Sequence, residues 1–430
     1  MELICERRQP AKIKSAAGER PALLGGEPVV KERNQALFHW PIVTSEDEEA
    51  VCEVLRAGTM SGTEITRKFE VEFADWMGVK YALGTCNGTA ALQEAFYACE
   101  VGPGDEVIAP SMTYWAACTP AAALGAKVVF ADIEPDTLCI DPADIERKIT
   151  PRTKAIVVVH YAGYPADMDR IMALGREHGI KVIEDVSHAQ GTMYKGRVCG
   201  SIGDLGGISM MGGKSFAIGE GGMFVTNERK FYERALSFGH YERVASSRYS
   251  APSYQLADEN LRRYAGIPLG GIKHRMNQTC AAMGRVQLRH YPARIAEIQK
   301  ALNYFWDQLE GTPGIRAHRV KPDSGSTMGG WYTARGLYRS EELGGLSCEK
   351  FCEAVRAEGY AGCAPGANWP LHTHIFYRER SGDFVLPVSE RIHEIAFAVP
   401  WFKHLDTDKI DAYAEIFRKV ARNHTQLLKS

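Results

Sequence analysis

Lys181-Val182-Ile183-Glu184-Asp185-Val186-Ser187-His188-Ala189-Gln190, then a glycine-rich run, Ser209, Lys214 and Gly219-Glu220-Gly221-Gly222, is the stretch that decides how the chain is read. Val182-Ile183 reads as the end of a buried strand, and Glu184-Asp185 lies where that strand meets a loop. In open α/β sheets, ligands sit outside the carboxyl ends of the strands. An acid at that edge, an imidazole at His188 and one lysine among small residues therefore form a candidate catalytic cluster. Lys214 is flanked by Gly212, Gly213 and Ser215, whereas a solvated surface lysine usually has charged neighbours. Burial there would lower its pKa and leave a nucleophilic amine. Taken alone, Lys214 reads equally well as a loop lysine, and only the rest of the chain separates the two readings.

Outward from this stretch, short apolar strands alternate with helical patterns in a βαβ rhythm. Strands are predicted over 81–84, 106–109, 127–132, 155–160, 182–185, 207–210 and 223–226, with helices over 90–99 and 116–124. This implies an α/β fold whose mostly parallel, seven-stranded sheet is sandwiched by helices. Upstream, Ser45 is expected to cap a helix over 46–57, and a second helix follows over 66–76. From about Arg294 the texture changes to a helix over 294–309, a strand-like run over 331–338, and helices over 348–358 and 410–420. The expected organisation is an N-terminal arm (1–35), a large cofactor-binding domain (36–293) and a smaller α+β C-terminal domain (294–430).

The bulk composition narrows the function classes. With 430 residues, 45% hydrophobic and 24% charged, the chain is long enough to bury a large core. A formal net charge of -2 and no long charge block argue against a nucleic-acid partner. Eleven cysteines are scattered without metal-type pairs; Cys348 and Cys352, four apart on a predicted helix, read as packing residues. No metal site is therefore expected, and the cysteine usage suits a reducing compartment. The N-terminus lacks the apolar core of a secretory signal, and no apolar run reaches the roughly 18 residues of a membrane span. A cytoplasmic location without membrane contact is expected.

Four constellations carry chemistry. Gly84-Thr85-Cys86-Asn87-Gly88-Thr89 lies between a strand and a helix, where free N–H groups and the helix dipole favour a phosphate. Gly88 would let the backbone approach and Thr89 would add a hydroxyl donor, although these residues alone also describe a capped turn. The run matches neither the P-loop nor the dinucleotide fingerprint. Pro110-Ser111-Met112-Thr113-Tyr114-Trp115 follows a strand end and offers two aromatics to stack on a planar heterocycle, unless they are core or rim residues. Asp185 could pair with a protonated ring nitrogen and keep that ring an electron sink, or could simply cap a helix. Ser209, five residues before Lys214, could add a phosphate donor.

Phosphate cup, stacking ring, carboxylate and lysine, in that order, are the parts a pyridoxal phosphate enzyme needs. Here the sequence resembles the DegT/StrS family of sugar and cyclitol aminotransferases, within the aspartate-aminotransferase fold type I. The resemblance runs from about Trp40 to Leu288 and more faintly to the C-terminus. It is carried by Asn87-Gly88-Thr89, by Gly104-Asp105-Glu106-Val107-Ile108 leading to Pro110-Ser111-Met112-Thr113-Tyr114, and by Ile183 to Ala189. Gly200-Ser201-Ile202-Gly203-Asp204, Lys214 and Gly219-Glu220-Gly221-Gly222 continue it.

The resemblance implies that Lys214 holds the cofactor covalently, Asp185 pairs with the pyridine nitrogen, and Tyr114 stacks on the ring. It places Gly88, Thr89 and Ser209 at the phosphate and His188 beside the ring near its phenolic oxygen. It also implies a homodimer with shared active sites, since the family reaches across with a segment that here reads Gly271-Ile272-Lys273-His274-Arg275-Met276. Lys273 stands where asparagine is usual, so either Lys273 or Arg275 could pair with the phosphate. Relatives that run deoxygenation or dehydration carry histidine at the lysine position, so Lys214 favours transamination. The cofactor would pass through its pyridoxamine phosphate form, with glutamine or glutamate as donor.

The acceptor expected by resemblance is a keto cyclitol of the scyllo-inosose kind, with a nucleotide keto sugar as the alternative. Pro21-Ala22-Leu23-Leu24-Gly25-Gly26, Trp40-Pro41 and Asn368-Trp369-Pro370-Leu371-His372 look more like the cyclitol branch. His372, His374 and Trp115 are candidate substrate-binding residues, although the two histidines also read as ordinary loop residues. An alternative of another class is a regulatory protein that keeps the fold without turnover. Retention of both Lys214 and Asp185 speaks against it.

Overall fold

Short runs of β-branched and small apolar residues give seven strands that assemble into one sheet in the computed structural model, which describes residues 20–32, 35–244 and 252–430. The strands are β1 (Tyr81–Thr85), β2 (Glu106–Pro110), β3 (Lys127–Ala131), β4 (Thr153–Val159), β5 (Lys181–Asp185), β8 (Leu205–Ser209) and β9 (Gly222–Thr226). Between them lies a two-residue ribbon, β6 (Met193–Tyr194) with β7 (Arg197–Val198). The sheet order is β1-β9-β8-β5-β4-β2-β3. All neighbours are parallel except β9, which runs antiparallel to both β1 and β8. The carboxyl ends of β1, β5 and β8 and the start of β9 therefore share one edge. The interior strands are buried along almost their whole length, which is why they read as continuous apolar runs rather than alternating ones.

A second, three-stranded antiparallel sheet, β10 (Ile315–Ala317), β11 (Arg335–Tyr338) and β12 (Ala396–Ala398), has its own core of Phe351, Phe397, Phe402, Phe417 and neighbours. Leu37 from the N-terminal region joins this second core, whereas Tyr377, Leu386 and Ile392 return to the core of the large sheet. The helix Gln278–Gln308 runs from one core to the other. Ala281, Leu288 and Tyr291 face the first core and Ile298, Leu302 and Phe305 the second, with Pro292 between them.

Four local expectations are corrected. The helix Ser45–Ala57 is capped by Thr44 rather than Ser45: Asp47 Oδ2 accepts from the Thr44 N–H and hydroxyl at 2.8 Å each. The helix expected over 116–124 is broken at Cys118 into a 3-10 turn Trp115–Ala117 and a helix Thr119–Ala123, because Pro120 fits only a first turn. The helix expected from 294 begins at Gln278; burial on both sides of Pro292 outweighs the hydrogen bond the proline removes. The strand expected from 331 begins at Arg335, because Trp331 and Thr333 adopt left-handed φ values of 51° and 54°.

Candidate active site

The shared strand edge opens onto a cavity of about 510 Å³. Asp185, the last residue of β5, is buried there, and its Oδ1 accepts from the Ser187 N–H at 2.9 Å. Burial raises the Asp185 pKa, opposed by the hydrogen bonds to Ser187 and by the charge of Lys214. A carboxylate in this position lacks a full counter-ion and favours a cation beside it.

Lys214 comes from the loop between β8 and β9. Its backbone is held at both ends: the N–H donates to Met211 O at 2.8 Å, and the carbonyl accepts from Trp40 Nε1 at 2.8 Å. The side chain is 9% exposed, and Nζ lies 4.2 Å from the centre of the Tyr332 ring. Burial pulls the Lys214 pKa down to about 8, with Asp185 opposing. Near neutrality this amine is thus closer to its free-base form than an ordinary lysine.

His188 is buried between Tyr161 and Tyr332, with ring centres 5.2 and 5.0 Å away. Burial, with Lys214 and Arg335 nearby, holds its pKa well below the usual value, so the imidazole is neutral. Its Nδ1 is buried without a hydrogen-bond partner among the described residues.

At the opposite end the helix Gly88–Ala98 begins. Asn87 caps it, Oδ1 accepting from Ala90 N–H at 2.9 Å. A Cβ on Gly88 would lie 2.6 Å from Ser209 Cβ and 2.9 Å from Ser209 N, so only glycine lets the helix start meet the end of β8. Gly88, Thr89 and Ser209 line this end together. Gln190 ties the parts, donating to Ser209 O at 2.7 Å and accepting from the Ser215 hydroxyl at 2.7 Å.

The donor set fits a phosphorylated pyridine aldehyde. The glycine-tight helix start presents N–H groups and hydroxyls to a phosphate. Asp185 could meet a ring cation, His188 Nδ1 a ring oxygen, and Lys214 the carbonyl carbon, since all three line the same cavity.

Of the residues expected from sequence, Gly88, Thr89, Tyr114, Asp185, His188, Ser209 and Lys214 all line this cavity. Trp115 is half exposed and leans on Tyr114 at 4.9 Å; it is not part of the lining. Lys273 and Arg275 lie outside the cavity. Lys273 sits 5.5 Å from the Tyr241 ring centre, and Arg275 reaches Ser61 O at 3.2 Å and Glu242 at 3.3 Å.

The expectation that His372 and His374 line the acceptor pocket is not met. His372 is a buried structural residue, with Nδ1 at 2.6 Å from Ser111 Oγ and Nε2 at 3.3 Å from Glu390. It braces the end of β2 from behind. His374 is exposed, and its Nδ1 accepts from Phe376 N–H at 3.2 Å to cap the helix Ile375–Ser381.

Sequence reading missed the opposite wall. Tyr332, Thr333 and Arg335 line it together with Asn368. The signal was faint: Gly329-Gly330 announces a turn, but nothing announces left-handed tryptophan and threonine either side of Tyr332. Asn368 is positioned by Tyr161, whose hydroxyl donates to Oδ1 at 2.7 Å.

Glu184, next to Asp185, forms a buried cluster with His160 and Cys199. Its carboxylate already accepts from His160 Nε2 at 2.9 Å and from the N–H groups of Gly200, Ile202 and Gly203 at 2.8, 2.8 and 2.6 Å. These bonds brace β5 behind Asp185.

Comparison with known proteins agrees with this geometry. The profile of the DegT/DnrJ/EryC1/StrS aminotransferase family matches residues 41–418. The spore coat polysaccharide biosynthesis protein SpsC of Bacillus subtilis (strain 168) is 32% identical over 401 residues, covering 92% of this chain and 99% of that one. The L-glutamine:2-deoxy-scyllo-inosose aminotransferase of Micromonospora echinospora is 33% identical over 360 residues, covering 82% and 83%. The X-ray structure of the aminotransferase from Psychrobacter cryohalolentis superimposes with a TM-score of 0.80 at 30% identity, covering 90% and 99%. The chain therefore belongs to the DegT/DnrJ/EryC1/StrS aminotransferase family. It is a pyridoxal phosphate-dependent transaminase with the fold type I architecture. Among the described residues, no helix is long and apolar enough to cross a membrane.

Proposed function

We propose that this transaminase moves an amino group from glutamine or glutamate to the keto group of a cyclitol of the scyllo-inosose kind. The observation that carries this reading is the wall facing Lys214. Tyr332, Thr333, Arg335 and Asn368 place hydroxyl, guanidinium and amide groups there, as a hydroxyl-rich acceptor requires. The similarity to an aminotransferase named for 2-deoxy-scyllo-inosose supports it.

In this reading Lys214 bonds the cofactor, Asp185 pairs with its ring nitrogen, Tyr114 stacks on the ring and His188 sits beside it. Gly88, Thr89 and Ser209 hold the phosphate. Lys273 or Arg275 reaches the phosphate of a second subunit, so the working unit is a homodimer in the cytoplasm. Bound pyridoxal phosphate supplies the carbonyl carbon that takes up the amine and a cationic ring that draws electrons from the reacting carbon.

The chain's own residues do the rest. Lys214 Nζ would accept the proton from the donor's Cα and would deliver it to the cofactor's former carbonyl carbon, on the other side of the shared nitrogen. Its lowered pKa makes the free amine available for this near neutral pH. Asp185, raised by burial but facing a ring cation, holds the proton on the ring nitrogen. Neutral His188 donates or accepts a hydrogen bond without adding charge.

A second reading, a nucleotide keto sugar as acceptor, is favoured by the rim. Tyr114 and Trp115 are 50% and 43% exposed beside the cavity, as a base-stacking platform would be. One assay separates the two: purified holoenzyme with glutamine or glutamate against scyllo-inosose and a panel of nucleotide keto sugars. Amino-cyclitol formation is the expected result; turnover of nucleotide sugars alone would replace the first reading with the second.

A further inference from the structure

A second cavity, of about 360 Å³, adjoins the cofactor site and shares Thr333 and Arg335 with it. It is bounded by the small-sheet segment Ala398-Val399, the turn Gly359 to Gly362, Trp401 and Lys403. Two basic side chains, Lys403 and Arg335, line it, and no acidic side chain among the described residues does.

Lys403 is the unusual member. Lysines that only cover aromatic surface carry their ammonium out to water. Lys403 is 3% exposed, lies against Trp401 and is 5.4 Å from the centre of the Trp40 ring. Its Nζ donates to Trp401 O at 3.3 Å, which serves one of three possible donors. Burial drives its pKa well below the usual value, and no carboxylate among the described residues opposes that drive. Arg335 adds a permanent guanidinium whose Nε is buried without a hydrogen-bond partner among the described residues. Buried cations are ordinarily paired, because an isolated one costs several kcal/mol.

We propose that this cavity is an anion subsite that takes a carboxylate or phosphate group between Lys403 and Arg335, separate from the phosphate cup at Gly88. The aromatic wall of Trp401 favours an oxyanion carried on a compact organic ligand, and the missing countercharge is what such a ligand brings. The inference goes beyond transamination and does not depend on which acceptor is used.

The test uses holoenzyme, whose phosphate cup is already filled by cofactor. Inorganic phosphate and malonate are titrated separately by calorimetry into the wild type, Lys403→Met and Ala361→Glu. Neither substituted residue lines the cofactor cavity, and Ala361 is exposed at the second cavity, so a glutamate there supplies an internal competitor without disturbing a core. Saturable binding of at least one probe to the wild type is expected, weakened about tenfold or more in both variants, the loss of one charge-assisted contact. Preference for phosphate or for malonate then tells the two ligand sources apart. Failure of both probes to saturate the wild type overturns the proposal, as does wild-type affinity in Ala361→Glu. Cofactor absorbance and a thermal melt report whether Lys403→Met folds; if it does not, Ala361→Glu decides alone.

Discussion

Two walls face each other across the cofactor cavity, and they are built by opposite means. One is the carboxyl edge of the large sheet, where Asp185 and Ser209 end β5 and β8 and the Gly88 helix starts. There regular backbone sets each side chain, and parallel pairing fixes the register. The other is the turn from Met328 to Arg335, where left-handed Trp331 and Thr333 flank Tyr332 and hold its ring against Lys214 Nζ. A β-branched residue in that conformation is costly, so the second wall stores strain that the first does not. Asp185 and Ser209 are thus held by strand ladders, and Tyr332 is held by a strained turn.

Three substitutions would break or sharpen that contrast. The largest effect belongs to the loop lysine that lies between the two walls: Lys214→Ala should abolish the cofactor's near-visible absorbance and lower transamination by about 10³-fold or more, measured by spectrum and by single-turnover kinetics. Retained absorbance would remove Lys214 from its proposed role.

Next comes stability without cofactor. The lysine pKa is depressed from 10.5 to about 8, so the unfolded chain binds more protons between those values and stability rises with pH across that window. Below about pH 8 the cost of burying the charge is fully present. Apo Lys214→Met should therefore be more stable than apo wild type at pH 7, by about 1–3 kcal/mol in urea denaturation. The difference should narrow as pH rises toward 10.5. An unchanged difference at every pH would show that the amine is not desolvated.

The smallest effect belongs to the strained wall. Thr333→Gly should relieve the left-handed strain and raise stability by up to about 1 kcal/mol, while raising the acceptor KM as Tyr332 loses its fixed angle. A destabilised variant would show that Thr333 contributes more through its contacts than it costs through its φ.

The regular wall was legible because its residues announce themselves. Val182-Ile183 before Glu184-Asp185 marks a strand end, and Asn87-Gly88 marks a helix start, so both could be placed without coordinates. The seven strands are buried runs, and those survive small errors of boundary. The strained wall was not legible, because φ at Trp331 and Thr333 is imposed by tertiary packing and leaves no mark in residue type. His372 shows the converse error. A hydroxyl-rich acceptor needs hydrogen-bond partners, which invited a binding role for this histidine, yet its two nitrogens are taken by Ser111 and Glu390. Pairings across such sequence distances cannot be read from spacing.

The long rod from Gln278 to Gln308 has one consequence of its own. Proline at 292 has no amide hydrogen, so the carbonyl of Leu288 goes without its intrahelical donor at the point where burial passes from the large core to the small one. The rod is stiff where it is gripped and weakest in the gap between the grips. A tilt of the three-stranded sheet against the seven-stranded one would meet least resistance within this helix at that loosened ring.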